Sequence, residues 1–497
     1  MHALGYWLKI NRIPIAVFAI LLVHGSTLGL SDDEAYYWVL AQRPALSYAF
    51  HPPAVAWAIA AFQKALGWFL GNHNPGLVRL PALFSTAFIL SLSLHWLKEM
   101  GLLDIYRTRA ASILLSFFGF FSLAWMMVPD IPLFLGWTLL FTNIWRACFG
   151  KTHKNHLQIL AVGTALTLLS KYSGILSVFS AGLSLLLWAP KHERFRSLSA
   201  LTAGVITAAI PILLWNSQHQ WTSILYQIHD RHEGAHLSLT RYFQFWLIES
   251  LLAGPLLIGF YFCTVFRALK KVGSGESYFM RYLAVWTLPA AFVFCVQPLI
   301  SDFKPHWAFI VWWPTALALA FESQGKAWKW AQYQVKYGIS VGIFILFSCH
   351  FPIIELAYHS LGFRPFDPKM DATNDLYAWA EFENFATSHL NPTIFNLPIV
   401  GARYQTASQA AFHLSNRAQV TLLPRNEREM HEWPDLNISD GLGPQWPKLR
   451  QTILFVSDNR YDSPPQFPSA KCEKLLRFEK SRSHLLAKWI DLWRCTP

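Results

Sequence analysis

Charge is scarce in this chain. Only 14% of its 497 residues are Asp, Glu, Lys or Arg, while 53% are hydrophobic and 16% aromatic. So apolar a balance excludes an ordinary soluble protein of this length and points to a bilayer as its solvent. Acids are the scarcer sign, 29 against 41 basic residues, for a formal net charge of +12. A surplus of that kind fits nucleic acid, anionic lipid or topology signals, and the positions of the basic residues decide among them. Cysteine is sparse as well: none of the six forms a CxxC pair, which argues against a zinc or redox motif. No small-residue cleavage site follows the first apolar run, so that run is expected to remain as an anchor. Internal repeats and low-complexity segments are missing too.

What the chain does contain is a series of apolar stretches, most close to the ~20 residues that cross a bilayer. They lie at about 13–30, 77–97, 110–128, 131–149, 156–170, 172–189, 197–215, 246–266, 282–299, 306–321 and 338–359. The connections alternate in charge. One set carries Lys9 and Arg12, Lys98, Arg107 and Arg109, Arg146, Lys151 and Lys154, and continues so to Lys326, Lys329 and Lys336. The other set holds only Arg43, Lys64, Lys171, Arg231, Arg241 and Lys304. By the positive-inside rule the first set is cytoplasmic, which explains most of the surplus charge and leaves no case for nucleic acid. Ala54–Leu70 is also apolar, but it follows Pro52-Pro53, carries Lys64 and spaces Val55, Ile59, Phe62, Leu66 and Phe69 at helical intervals. It reads as a helix lying in the interface. Counting it as a span would invert every later loop.

The resulting fold class is a polytopic α-helical membrane protein of about eleven spans (1–361). Interfacial helix lies in a first outer loop (31–76), and a small soluble α/β domain follows at 362–497. The N-terminus is expected inside and the C-terminal domain outside, in the periplasm or an equivalent space, as for a bacterial inner-membrane protein. In that domain a helix is expected over 374–389, another over 406–414, and strands at 397–400, 419–423 and 452–456. Cys472 and Cys495 fall in this polar stretch, either as a disulfide formed in an oxidising compartment or as two unpaired buried thiols.

The chemistry-bearing residues gather in outer connections. Asp32, Asp33 and Glu34 follow the first span. Ser31 and Glu34 form an S-x-x-E capping box, which accounts for two of these polar groups structurally, and a helix N-terminus favours the ionised forms of the others. Asp130 lies in Val-Pro-Asp-Ile-Pro, where a polar turn residue is common. Lys171, in Ser170-Lys171-Tyr172, sits between apolar runs, where a cation needs an anion or a route to water. His219, His229, Arg231, His232, His236 and Arg241 share a loop whose histidine spacing is irregular for zinc, so a solvated loop is the better reading. Asp302, Lys304 and His306 complete the set.

One base and several cations suit transfer of a sugar from a lipid phosphate. The acceptor hydroxyl must lose a proton, whereas the phosphate leaving group is already acidic. A glycosidase would instead flank the bond with two carboxylates. A transporter or flippase of lipid-linked precursors is the competing class, although no pair of matched broken helices is evident in the hydropathy. An inactive scaffold in envelope assembly is a third.

The strings Asp33-Glu34-Ala35-Tyr36-Tyr37-Trp38, His51-Pro52-Pro53, Pro129-Asp130-Ile131-Pro132-Leu133 and Ser170-Lys171-Tyr172 resemble the membrane glycosyltransferases of the GT-C fold. The nearest group is the bacterial relatives of dolichyl-phosphate-mannose protein mannosyltransferases, which include the lipid A aminoarabinose transferases. The resemblance covers residues 1 to about 320, and Gly401–Ser408 resembles part of an external domain of bacterial members. It implies an inverting transfer from a polyprenyl-phosphate (undecaprenyl-phosphate) sugar to an envelope lipid, glycan or protein on the outer face. It further implies Asp33 as base with Glu34 beside it. Lys171 matches the family's lysine, and its charge suits the donor phosphate. Asp32, His51, Asp130, Tyr172, Arg231, Lys304 and His306 are the remaining candidates for substrate binding. No cofactor is implied with certainty, although a divalent metal would be compatible. Phe50 departs from the pattern, since many relatives have Asp before His-Pro-Pro.

Overall fold

The computed structural model describes residues 2–228, 235–270, 275–441, 445–461 and 464–497. Its helices follow the apolar stretches: α1 (His2–Ser26), α2 (Asp32–Ala41), α3 (Ala54–Leu70), α4 (Pro75–Glu99), α5 (Arg107–Ser116), α6 (Phe118–Leu123), α7 (Asp130–Phe149), α8 (His156–Ser170), α9 (Ile175–Trp188) and α10 (Lys191–Gln218). They continue as α11 (Thr222–Ile228), α12 (Leu239–Leu252), α13 (Pro255–Lys270), α14 (Gly275–Val296), α15 (Phe309–Glu322), α16 (Trp328–His350) and α17 (Ile353–Ser360).

Among the described residues, three helices are long and apolar enough to cross a bilayer unaided, Pro75–Glu99, Lys191–Gln218 and Tyr278–Leu299. The number rises to five if each of two bent pairs is one span. Those pairs are α12 with α13, bent by 105°, and α16 with α17, bent by 104°. Hydropathy alone did not show these breaks. Gly254 marks the first with φ +91°, a left-handed conformation that glycine adopts without steric cost. Pro352 lies in the second, where it cannot donate to a continuing helix. The stretch expected as one span at 110–128 is likewise divided at Phe117, whose ψ of 85° ends α5 before α6 begins.

The described chain forms two compact units. The first comprises Met1–Leu22, Phe50–Ala54 and Pro81–Ile343. Its interior is aromatic: Phe141 of α7 meets Tyr282 and Trp286 of α14 at ring-centroid distances of 5.0 and 5.4 Å, and Trp137 meets Trp286 at 6.0 Å. Tilted and edge-on contacts of this kind add specific geometry to the area they bury. The same unit holds a charged pair, Arg146 Nε on Glu99 Oε2 at 2.7 Å.

The second unit comprises Val23–Ala49, Val55–Leu80 and Phe344–Pro497. Its C-terminal part holds α18 (Trp379–His389), α19 (Tyr404–Leu414), α20 (Glu427–Glu432) and strands β1 (Ile399–Gly401), β2 (Val420–Leu422), β3 (Ser439–Asp440), β4 (Lys448–Leu449), β5 (Ile453–Asp458), β6 (Lys471–Arg482) and β7 (Leu485–Thr496). The main sheet is mixed, in the order β2-β1-β5-β7-β6. β1 pairs in parallel with β2 and β5, while β7 runs antiparallel to both β5 and β6. Three of these strands and α19 lie where the sequence placed them. The helix expected from residue 374 begins only at Trp379, because a 3-10 turn occupies Ala372–Leu376 first.

The β6–β7 hairpin was not legible. β6 is an edge strand crowded with Lys471, Glu473, Lys474, Arg477, Glu479 and Lys480. Such charges guard an unpaired sheet edge and mask the alternation of a strand. Cys472 and Cys495 face each other across the hairpin and form the disulfide, which settles the two readings of that pair. Alkylation under denaturing conditions without reductant is therefore expected to label four cysteines, Cys148, Cys263, Cys295 and Cys349. Six labelled cysteines in the intact mass would contradict the pairing.

Candidate active site

The carboxylate triplet lies in the second unit, at the start of α2. Ser31 caps that helix: its hydroxyl accepts from Glu34 N at 3.3 Å, while Glu34 Oε2 accepts from Ser31 N at 3.1 Å. The capping box expected from the sequence is thus present. Glu34 does more than cap. It is fully buried, and Arg79 grips it with two parallel bonds, Nε to Oε1 at 2.9 Å and Nη2 to Oε2 at 2.7 Å. The other donors of the same guanidinium reach the carbonyls of Gly25, Leu28 and Gly29 at 2.5, 2.8 and 2.7 Å. Arg79 therefore ties the end of α1 and the turn before α2 to the first residues of that helix. A planar five-donor group is the side chain that can do so.

Asp32 is buried as well, 8% exposed, and accepts from Gln409 Nε2 at 3.0 Å. Burial pushes its carboxyl up to about 7, with the Lys488 ammonium opposing and Asp375 and Asp458 reinforcing the shift. Buried Lys488 itself bridges buried Asp458 at 2.9 Å and half-buried Asp375 at 3.3 Å, a group that sequence reading passed over because its members lie on β5, β7 and a 3-10 turn. Asp33 differs from both neighbours. It is exposed on the first turn of α2, where it accepts from the Tyr404 hydroxyl at 3.0 Å. Of the three acids, it is the one a solute can reach.

In the first unit, Asp130 opens α7 and is 4% exposed. Lys171, in extended conformation between α8 and α9, places Nζ 2.9 Å from its Oδ1, and His306 Nε2 lies 3.9 Å from Oδ2. His51 is within electrostatic reach of the same carboxylate. Three loops far apart in sequence thus converge on Asp130, as a cation between apolar runs requires. Tyr172 bonds through its hydroxyl to Ser223 of α11. Phe50, the departure before His51-Pro52-Pro53, packs its ring edge-on against Tyr226 at 4.9 Å, and its carbonyl accepts from Gln227 at 3.2 Å. Lys304 is exposed before the turn that carries His306. Arg231, with His229 and His232, lies outside the described residues. Among the described residues, no group of three or more His, Cys, Asp or Glu side chains is arranged to hold a metal ion.

Similarity to known proteins follows these features. No family model matches the chain. Lipid A galacturonosyltransferase RgtD of Rhizobium johnstonii is 22% identical over 356 residues, 63% of this chain and 68% of the relative. The crystal structure of ArnT from Cupriavidus metallidurans in the apo state superposes with a TM-score of 0.62 at 12% identity, covering 99% of this chain and 98% of that one. The chain has the fold of that ArnT. The same ArnT bound to undecaprenyl phosphate gives 0.61 at 12% identity, covering 98% of each chain. At such identity the likeness is one of architecture, that of a polytopic helical membrane protein with a mixed sheet in its C-terminal region.

Two residues that organise the site escaped sequence reading. Arg79 was counted within an apolar span, although a cation in the first turn of such a span is itself a signal. Tyr404 stands inside the Gly401–Ser408 string without any feature to mark it. The Arg79 arrangement makes a direct prediction. Arg79→Ala leaves Glu34 buried without its partner, at a cost of about 3–5 kcal/mol, so the purified variant is expected to lose most of its folded fraction on size exclusion in detergent. A yield and melting temperature equal to the parent's would contradict the structural role.

Proposed function

We propose that the chain is an inverting glycosyltransferase that moves a sugar from an undecaprenyl-phosphate donor to lipid A or another envelope acceptor on the outer face of the inner membrane. In this reading the membrane domain is 1–361, with α3 in the interface, and 362–497 is the extracytoplasmic domain, the N-terminus being cytoplasmic. The observation that carries the proposal is the sorting of the triplet, in which Glu34 and Asp32 are buried and held while Asp33 is exposed. A general base must be reachable by the proton it takes. The GT-C fold and the names of the similar proteins, one a lipid A sugar transferase and one bound to undecaprenyl phosphate, support the substrate classes.

The chemistry follows from these roles. Asp33 removes the acceptor's hydroxyl proton as that oxygen attacks the anomeric carbon. The bond from that carbon to the phosphate oxygen breaks, and the phosphate departs with the bonding electrons. Attack opposite the leaving group inverts the centre. Undecaprenyl phosphate leaves as an anion, so it needs a countercharge rather than a proton. Lys171, held by Asp130 beside His306, is assigned to that countercharge. Asp32, His51, Tyr172, Arg231 and Lys304 are assigned to substrate contacts, and Glu34 acts through Arg79 to position the helix that carries the base. The two bent helix pairs would also suit a transporter, but a fold likeness covering nearly the whole chain favours the transferase.

Purified protein, incubated with a panel of labelled undecaprenyl-phosphate sugars and lipid A, tests the assignment. Asp33→Asn is expected to reduce transfer by more than a hundredfold while expression and melting stay at parental values; normal turnover in this variant would sink the base. Lys171→Ala is expected to raise KM for the donor several-fold more than KM for the acceptor. Equal changes in both would assign Lys171 to structure alone.

A further inference from the structure

Helix α19 belongs to the C-terminal stretch, yet its side chains meet the first turns of α2 at several points. The Tyr404 ring stands edge-on to Tyr36 at 5.2 Å, and Phe412 stands edge-on to Trp38 at 5.0 Å. Gln409 Nε2 donates both to the Leu30 carbonyl at 2.9 Å and to Asp32 at 3.0 Å. At its start α19 is pressed onto β1: a Cβ added to Gly401 would lie 2.5 Å from Ala407 N, so only glycine permits that approach. Tyr36 is fixed in turn, its hydroxyl donating to Glu432 Oε2 at 2.5 Å. The Tyr404 hydroxyl, set in this frame, reaches Asp33 Oδ1 at 3.0 Å.

An exposed aspartate on the first turn of a helix ordinarily samples several rotamers, and each one away from the productive geometry reduces the rate. We infer that Tyr404 is a positioning residue for the transfer, holding the Asp33 carboxylate in one orientation through its hydroxyl. Tyr404 is the donor to Asp33, because burial and the neighbouring Asp33 charge raise its phenol above the ordinary range and keep the proton on it. The domain at the end of the chain therefore contributes to the chemistry as well as to the fold. This inference rests on Asp33 being the base.

The test uses the full-length enzyme with whichever labelled undecaprenyl-phosphate sugar of the panel turns over fastest and with lipid A as acceptor. Tyr404→Phe keeps the ring and its contact with Tyr36 while removing the hydroxyl. It is expected to lower kcat about tenfold, the scale of one hydrogen bond to a charged group, with both KM values within twofold of the parent and the melting temperature unchanged. Added to Asp33→Asn and measured at high enzyme concentration, Tyr404→Phe is expected to cause no further loss, because the two residues act as one unit. An undiminished kcat in Tyr404→Phe beside an inactive Asp33→Asn overturns the inference and leaves the base standing, as does a tenfold loss that adds fully to that of Asp33→Asn. An active Asp33→Asn overturns the base itself.

Discussion

A buried arginine holds the start of the second unit together. Arg79 spends two donors on Glu34 and the rest on the carbonyls of Gly25, Leu28 and Gly29, and Ser31 and Glu34 close the same turn with a capping box. An ion pair of this sort contributes little net stability over an apolar substitute, but breaking it strands a charge. Its value lies in direction: it sets where α2 begins and hence how the next residues face. Asp33 is exposed because Glu34, one residue on, is drawn inward.

The three adjacent acids consequently have three different fates. Glu34 is neutralised by Arg79. Asp32 is taken up by Gln409 and lies close to the group of Lys488, Asp458 and Asp375, and burial pushes its carboxyl up to about 7. Asp33 is exposed and accepts from the Tyr404 hydroxyl. A helix N-terminus stabilises all three carboxylates alike, so the differences come from side chains brought by distant parts of the chain. Separate environments for neighbouring titratable groups are the usual means by which one fold assigns distinct roles to like residues. The Asp130 cluster in the first unit follows the same logic, with Lys171 and His306 arriving on separate loops.

Much of this was legible in the sequence. The helical stretches followed hydropathy because a chain in lipid must satisfy its backbone internally, which leaves helices as the economical solution. The capping box was readable because its two partners are three residues apart. Lys171 stood out as a cation between apolar runs, and the strands β1, β2 and β5 as short apolar runs between turns. Other features depended on partners hundreds of residues away. Nothing near Tyr404 or Gln409 marks them as contacts of Asp33 and Asp32, and the breaks at Phe117, Gly254 and Pro352 interrupt stretches whose average hydropathy is uniform. β6 was hidden by the charges that protect its edge. Arg79 was overlooked because a single cation hardly lowers the hydropathy of a span, although its burial is what the site depends on.

The central claim is that the protein transfers a sugar with inversion from a lipid phosphate. The most direct measurement is the anomeric configuration of the sugar in the product, read by NMR after purified enzyme has joined a labelled undecaprenyl-phosphate sugar to lipid A. A linkage opposite in configuration to that in the donor, formed with stoichiometric release of undecaprenyl phosphate, is the result the account predicts. A product that retains the donor's configuration, or passage of the intact lipid-linked sugar across a vesicle membrane with no new glycosidic bond, would contradict it.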